Sequence, residues 1–206
     1  MTTIKWIFFD IGSTLVDESE CYKRRFEETT ATTSISRDEF EKKTIEFAKQ
    51  NLKGDHAAAN FYHLSLSKWH SDLEMPYPEV ESILLFLTAA GYKLGIIANQ
   101  LPGTVSRLKQ WGLLSYFDVV VASTEEGLSK PNEAIFKVAL SKARCLAEEA
   151  MMVGDRLDND IVPAKRLGMT TVWVKQGYSE YASPICPAEQ PDFTIHSIAD
   201  LPGILS

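Results

Sequence analysis

Residues 4–14 read Ile4-Lys5-Trp6-Ile7-Phe8-Phe9-Asp10-Ile11-Gly12-Ser13-Thr14. This is a nearly continuous apolar run that ends on an acid and then on small residues. A strand that is apolar at successive positions, rather than at alternate ones, buries both faces, as central strands of parallel sheets do. Five further runs share this character, at residues 94–98, 119–122, 151–153, 171–174 and 193–195, and residues 4–9 make the sixth. Helical periodicity separates most of them. Residues 79–90 repeat Val80, Ile83, Leu84 and Leu87 and stop at Gly91; residues 105–111 stop at Gly112; residues 131–142 carry Ile135, Val138 and Ala139; residues 160–167 stop at Gly168. Glycine suits the position just past a helix end. Strands alternating with helices predict an α/β fold, a doubly wound (Rossmann-like) parallel sheet with right-handed crossovers.

Residues 17–78 break this rhythm and carry no strand signal. Residues 21–30 and 60–69 read as helices. Ser36-Arg37-Asp38-Glu39 is a capping box that opens a helix bearing Phe40 and Phe47. Met75-Pro76-Tyr77-Pro78 reads as an extended hinge. The expected organisation is an α/β core of residues 1–16 and 79–206, with residues 17–78 inserted as a small α-helical cap. An insert at that point covers the carboxyl edge of the sheet, where ligands of open α/β folds bind. There are no repeats and no low-complexity segment.

The 206 residues suit one domain, or one domain with an insert, and 45% hydrophobic residues suit an ordinary globular protein. A net charge of -7 leaves no basic footprint for nucleic acid. Such a chain binds an anion through local devices: a metal, a lysine or backbone N–H groups. Cys21, Cys145 and Cys186 are scattered and odd in number, which argues against a disulfide scaffold or zinc knuckle and suits a reducing compartment. The first ten residues hold no secretory apolar region, and no stretch reaches the length of a membrane span. The expectation is a cytoplasmic monomer with neither nucleic acid nor membrane as partner.

The chemistry-bearing residues sit at strand ends. The first run ends in Asp10, the second in Ala98-Asn99; Lys130-Pro131 follows the third, and Gly154-Asp155 with Asn159-Asp160 follows the fourth. In a doubly wound sheet these ends converge on one crevice. Asp10, Asp155 and Asp160 would then crowd beside one lysine, and like carboxylates a few ångströms apart repel. A hard cation relieves that repulsion, and carboxylates, a backbone carbonyl and waters are what magnesium accepts.

In order and spacing, these segments resemble the haloacid dehalogenase-like superfamily, in its phosphatase-rich branch with a helical cap after the first strand. Asp10-x-x-x-Thr14 alone is a weak signal. Lys130-Pro131, followed 25 residues after the lysine by Asp155 and then by Asn159-Asp160 and the Gly168 stop, is far more specific. The resemblance covers nearly the whole chain. It implies that Asp10 is a nucleophile that accepts a phosphoryl group. It implies that Asp10, the Gly12 carbonyl and Asp155 bind Mg2+, and that Lys130 pairs with the nucleophile and the phosphoryl oxygens. It implies that Thr14, Asn99 and Lys130 contact substrate, and that Asp160 and Asn159 support the metal and lysine from behind.

Two positions depart from the pattern. The residue two after the nucleophile is usually a second Asp, which protonates the leaving group and then activates water; here it is Gly12. A positioned acid/base typically contributes 10²–10⁴-fold. The second motif usually ends in Ser or Thr; here it is Ala98, followed by Asn99, whose amide is offset by one residue along an extended chain.

Blander readings apply to several residues. An Asp at a strand end is commonly a cap, and it is the company of Lys130 and Asp155 that singles out Asp10. Asp158 reads as solvated. His56, His63 and His70 recur every seven residues, but seven helical residues rise about 10.5 Å, too far to share an ion. Tyr62 and Trp69 read as packing within the insert rather than as substrate contacts. Trp6, Trp111 and Trp173 sit in core patterns, and Gly12-Ser13-Thr14 is not a nucleophile elbow. Three functions stay open: a magnesium-dependent phosphatase acting on a small phosphorylated metabolite through phospho-Asp10, a non-catalytic phosphate- and metal-binding protein, and a dehalogenase. The last fits worst, since carbon–halogen displacement needs no cation.

Overall fold

The computed structural model describes residues 3–205. Six parallel strands form one sheet: β1 (Trp6–Phe9), β4 (Lys93–Ala98), β5 (Val119–Ala122), β6 (Ala150–Gly154), β7 (Thr170–Val174) and β8 (Phe193–Ile195). Their spatial order is β5-β4-β1-β6-β7-β8. All six expected runs are present. The chain winds outward from β1 through β4 to β5, then crosses back to β6 and winds the other way. The strand order reverses beside β1, so the crevice expected at a topological switch point opens at Asp10.

The continuous apolar runs have the predicted cause. Ile7 and Phe9 face one buried cluster with Ile96, Met151 and Val153, while Phe8 faces another with Ile97, Val121 and Met152. The sheet is thus covered on both sides. One face packs α4 (Val80–Ala89) and α5 (Thr104–Gln110), and the other packs α7 (Glu133–Ala143) and α8 (Val162–Arg166). Gly95 in β4 is required by packing, since a Cβ there would lie 2.6 Å from the Phe8 ring. A short α6 (Ser123–Glu126) follows β5, and α9 (Leu201–Ile204) closes the chain.

Residues 17–78 hold α1 (Ser19–Thr30), α2 (Arg37–Ala48) and α3 (Gly54–Phe61). Their cluster is small: Phe26, Phe40, Ala58 and Ala59 are buried, with Tyr22, Phe47, Tyr62 and Tyr178 around them. The Ser36 hydroxyl accepts from the Glu39 N–H and caps α2. The helix expected over residues 60–69 does not form. His63 adopts a left-handed φ of 55°, and the His63 and Leu64 N–H groups close α3 onto the carbonyls of Asn60 and Ala59. Leu64 and Leu66 then reach the cluster at alternate positions of an extended segment, the two-residue period that Leu64-Ser65-Leu66-Ser67 shows in the sequence.

Two chain crossings join the helices to the sheet. They pair as a two-residue antiparallel ladder of β2 (Val16–Asp17) with β3 (Met75–Pro76). The extended reading of residues 75–78 holds at Met75–Pro76, where a strand pair stands in a segment without a strand signal in the sequence. The three histidines do not converge: His70 pairs with Glu28 at 2.9 Å, and burial lowers the pKa of His56. Among the described residues, no helix is long and apolar enough to cross a membrane.

Candidate active site

Asp10 follows β1 directly, and its N–H donates to the Val153 carbonyl at 2.9 Å, fixing it against β6. Lys130 lies between two carboxylates: Nζ donates to Asp10 Oδ1 at 2.6 Å and to Asp160 Oδ1 at 2.5 Å. The other Asp160 oxygen accepts the Arg156 N–H at 2.9 Å. Asp160 reaches this position through a π-helical turn over Leu157–Ile161 that folds back on Gly154. A Cβ at Gly154 would lie 2.4 Å from Asp160 Oδ2, so only glycine permits the approach. Asp155 follows Gly154, and its carbonyl accepts from Trp173 Nε1 at 2.6 Å. One oxygen from each of Asp10, Asp155 and Asp160 lies within 4.8 Å of the others.

The electrostatics follow from this crowding. Burial pushes the Asp155 carboxyl well above the usual range, and repulsion from Asp10 and Asp160 adds to it. Burial also raises Asp160, to about 6, against the attraction of Lys130. For Lys130, burial opposes the charge, but Asp10 and Asp160 outweigh it and hold the ammonium above its ordinary value. One lysine cannot neutralise three carboxylates. Both Asp160 oxygens already have donors, so Asp10, Asp155 and a nearby carbonyl are the oxygens left for a cation, a donor set that fits a hard divalent ion.

These groups line a cavity of about 210 Å³ that the insert and the 177–182 loop partly cover. Gly12, Asn99, Lys130 and Asn159 all reach it. Asn99, expected as a substrate contact, lines the cavity and spends its amide on Lys130: its Nδ2 donates to the Lys130 carbonyl at 2.9 Å, and its Oδ1 accepts the Lys130 N–H at 2.8 Å. It thereby fixes the Lys130 backbone. Thr14 is fully buried with no hydrogen-bond partner for its hydroxyl, and its neighbour Ser13 lines the cavity instead. Ala98 is buried at the end of β4 and offers no hydroxyl.

Sequence reading missed Glu18. This half-buried side chain lines the cavity and accepts the Ser13 hydroxyl on Oε2 at 2.8 Å. Burial pushes its carboxyl up to about 8, against the Ser13 hydrogen bond, and Asp10 adds repulsion. Nothing in the spacing Asp10-x₇-Glu18 signals this approach, because it depends on how the chain turns after β1. The Tyr-, Pro- and Ser-rich loop over residues 176–191 reads in the sequence either as site rim or as a surface crossing, and Tyr178, Ser179 and Ala182 of it line the cavity. Tyr178 packs edge-on against Tyr22 and donates to Glu41, and Asn51 in the insert bonds to Ser183 and Glu189. The Tyr- and Pro-rich segment after β7 therefore forms part of the site's rim.

Residues 7–174 match the haloacid dehalogenase-like hydrolase family. The chain belongs to that family. Among relatives of this haloacid dehalogenase-like protein, glyceraldehyde 3-phosphate phosphatase of Methanocaldococcus jannaschii is 40% identical over 137 residues. That match covers 63% of this chain and 56% of the relative, so the chain spans little more than half of that protein. Pyrophosphatase PpaX of Listeria welshimeri is 28% identical over 215 residues, covering 98% of this chain and 96% of that one. Among solved structures, an HAD phosphatase from Thermococcus onnurineus superposes with a TM-score of 0.66 at 26% identity, covering all of this chain and 98% of the other.

Proposed function

We propose that this protein is a magnesium-dependent phosphatase that acts on a small phosphorylated metabolite by way of a phospho-Asp10. The observation that carries the reading is Lys130 Nζ between Asp10 and Asp160, beside Asp155, at the switch point of the sheet. Phosphatase names among the relatives support it. Asp10, Asp155 and the Gly12 carbonyl would hold the cation, which would neutralise charge on the phosphoryl oxygens when bound.

The chain's own residues divide the remaining work. Lys130 fixes the Asp10 carboxylate and offers its ammonium to a phosphoryl oxygen. Asp160 and Asn99 orient Lys130 from behind, at its ammonium and at its backbone. Phosphoryl transfer asks mainly for such positioning and charge neutralisation. Residues 17–78 serve as a cap over the cavity, and its modest volume suits a small substrate held by a monomer in the cytoplasm.

The test is turnover of acetyl phosphate and of an aryl phosphate, with and without magnesium, beside Asp10→Asn. Magnesium-dependent hydrolysis that Asp10→Asn abolishes is the expected result. Gly12 favours one rival, a binding protein that holds phosphate without cleaving it. Metal-dependent binding of a phosphate mimic with no turnover on any ester would establish that rival instead.

A further inference from the structure

The aspartyl route sets a demand that Asp10, Lys130, Asp155 and Asp160 do not meet. An alkoxide expelled from phosphorus needs a proton, and the aspartyl-phosphate left behind needs a deprotonated water. Most acids around the cavity are occupied. Asp10 attacks; Asp160 is bonded to Lys130 and the Arg156 N–H; Asp158 is held by Arg156 at 2.9 and 2.6 Å; Asp55 pairs with Arg25 at 2.6 Å. Asp155 is one of the residues that would hold the cation.

Glu18 has a different situation. A Cβ built on Gly12 would lie 2.4 Å from Glu18 Oε1, 2.8 Å from Cδ and 3.0 Å from Oε2. The Glu18 carboxyl therefore fills the space into which a side chain at position 12 would extend, two residues after the nucleophile. Its one side-chain hydrogen bond, from Ser13, holds Oε2. Ser13 itself sits at a left-handed φ of 53° in the tight turn after β1, which brings its hydroxyl round to Glu18.

A second observation is independent of Gly12. Glu18 also lines an adjoining cavity of about 300 Å³ under the insert, bounded by Arg25, Lys53, Trp69 and Gln100. It stands where the two cavities meet. A substrate with its phosphoryl group against Asp10 and its organic part under the insert has its bridging oxygen at that junction.

Resting on the phosphatase reading, we propose that Glu18 is the catalytic acid and base of this protein, in the place that Gly12 leaves open. In the first step an Asp10 carboxylate oxygen bonds to phosphorus, the P–O bond to the leaving group breaks with its electron pair on that oxygen, and the Glu18 proton passes to it to give the free alcohol. In the second, the Glu18 carboxylate takes a proton from water as the water oxygen bonds to phosphorus. The P–O bond to Asp10 then breaks, releasing inorganic phosphate and restoring both carboxyl groups to their starting states. Glycine at position 12 is then the counterpart of glutamate at position 18, since any Cβ there would displace the carboxyl.

The test compares Glu18→Gln, which keeps shape and loses the proton, with wild type on an alkyl and an aryl phosphate. Steady-state turnover of the alkyl ester should fall on the order of 10²–10³-fold. The pre-steady-state burst of phenolate from the aryl ester should stay within about threefold, because a good leaving group needs little protonation. Phosphorylated enzyme should then accumulate, as the second step is starved of its base. Glu18→Asp should retain partial activity, and the pair Glu18→Ala with Gly12→Asp should restore alkyl turnover above Glu18→Ala alone. Equal losses of burst and alkyl turnover in Glu18→Gln would reduce Glu18 to a shaping role and overturn the proposal, as would unchanged alkyl turnover. A wild type inactive on both esters would overturn the phosphatase reading and this proposal together.

Discussion

At the strand ends, Asp10, Lys130, Asp155 and Asp160 are held by a sheet that is buried on both faces, whereas the insert above them rests on Phe26, Phe40, Ala58 and Ala59 and a rim of half-buried aromatics. The first region needs sub-ångström placement of charges. Its side chains accordingly hang from β1, the loop before α7, and the π-turn after β6, each tied by backbone hydrogen bonds. The second region is a small aromatic cluster joined to the sheet by a two-residue ladder. The candidate site thus hangs from the doubly buried sheet, while the insert above it is held by fewer contacts, among them Tyr178 with Glu41.

The contrast breaks most visibly at Lys130. Lys130→Met leaves Asp10 and Asp160 as buried, unpaired carboxylates, a change that typically costs about 3–5 kcal/mol. Urea unfolding should show that loss together with loss of activity; a stable but inactive variant would mean that the pair is catalytic only. Next comes a matched pair of truncations. Phe8→Ala and Phe40→Ala remove the same side chain, each worth about 3–5 kcal/mol in a packed core. Phe8→Ala should lower the global transition. Phe40→Ala should instead release amide exchange in α1–α3 while leaving the sheet amides protected, and should raise KM more than it lowers kcat. Identical exchange patterns would show that the insert and the sheet fold as one unit.

Smaller effects sharpen the electrostatic side. Asp155→Asn removes a carboxyl that burial and two neighbours disfavour, so the metal-free melting temperature should rise. Magnesium at about 100 times its Kd should stabilise wild type by about 2.7 kcal/mol and this variant hardly at all. A magnesium-dependent shift that survives in Asp155→Asn would place the cation elsewhere. The gentlest effect is a pH trend. Glu18 rises from an ordinary 4.5 to about 8, so the folded chain keeps a proton that the unfolded chain releases between those values. The folded state binds more protons in that window, and stability of the chelated protein should fall as pH rises from 4.5 to 8. Melting curves in chelator across that range check the sign, and added magnesium should flatten the trend.

The sheet was legible because its strands are buried on both sides, and two-sided burial writes a continuous apolar run such as Trp6–Phe9 into the sequence. Asp10 and Asp155 were legible for a related reason, since each follows its strand directly, whereas Lys130 lies beyond α6 and Asp160 within the π-turn, and it was their spacing from Asp155 and Gly168 that singled them out. The insert was less so. The eight-residue α3 carries too short a periodic pattern to stand out, while Asn60–Trp69 contains enough apolar residues to imitate a helix until His63 turns left-handed. Asn99 was visible, but its bonding to the Lys130 backbone was not, because that contact spans two loops. Glu18 was invisible for the same reason: a carboxyl six residues past a glycine gains its meaning only from the turn at Ser13 that returns it to Gly12.

The role of Asp10 can be read directly. Protein mixed with an aryl phosphate and magnesium, quenched in acid within the first turnover and digested for mass spectrometry, should yield a phosphoryl group on Asp10. That group should be absent without magnesium and absent in Asp10→Asn. Hydrolysis of the ester with an unmodified Asp10 at every quench time, or undiminished turnover by Asp10→Asn, would contradict the covalent route on which the reading of this site depends.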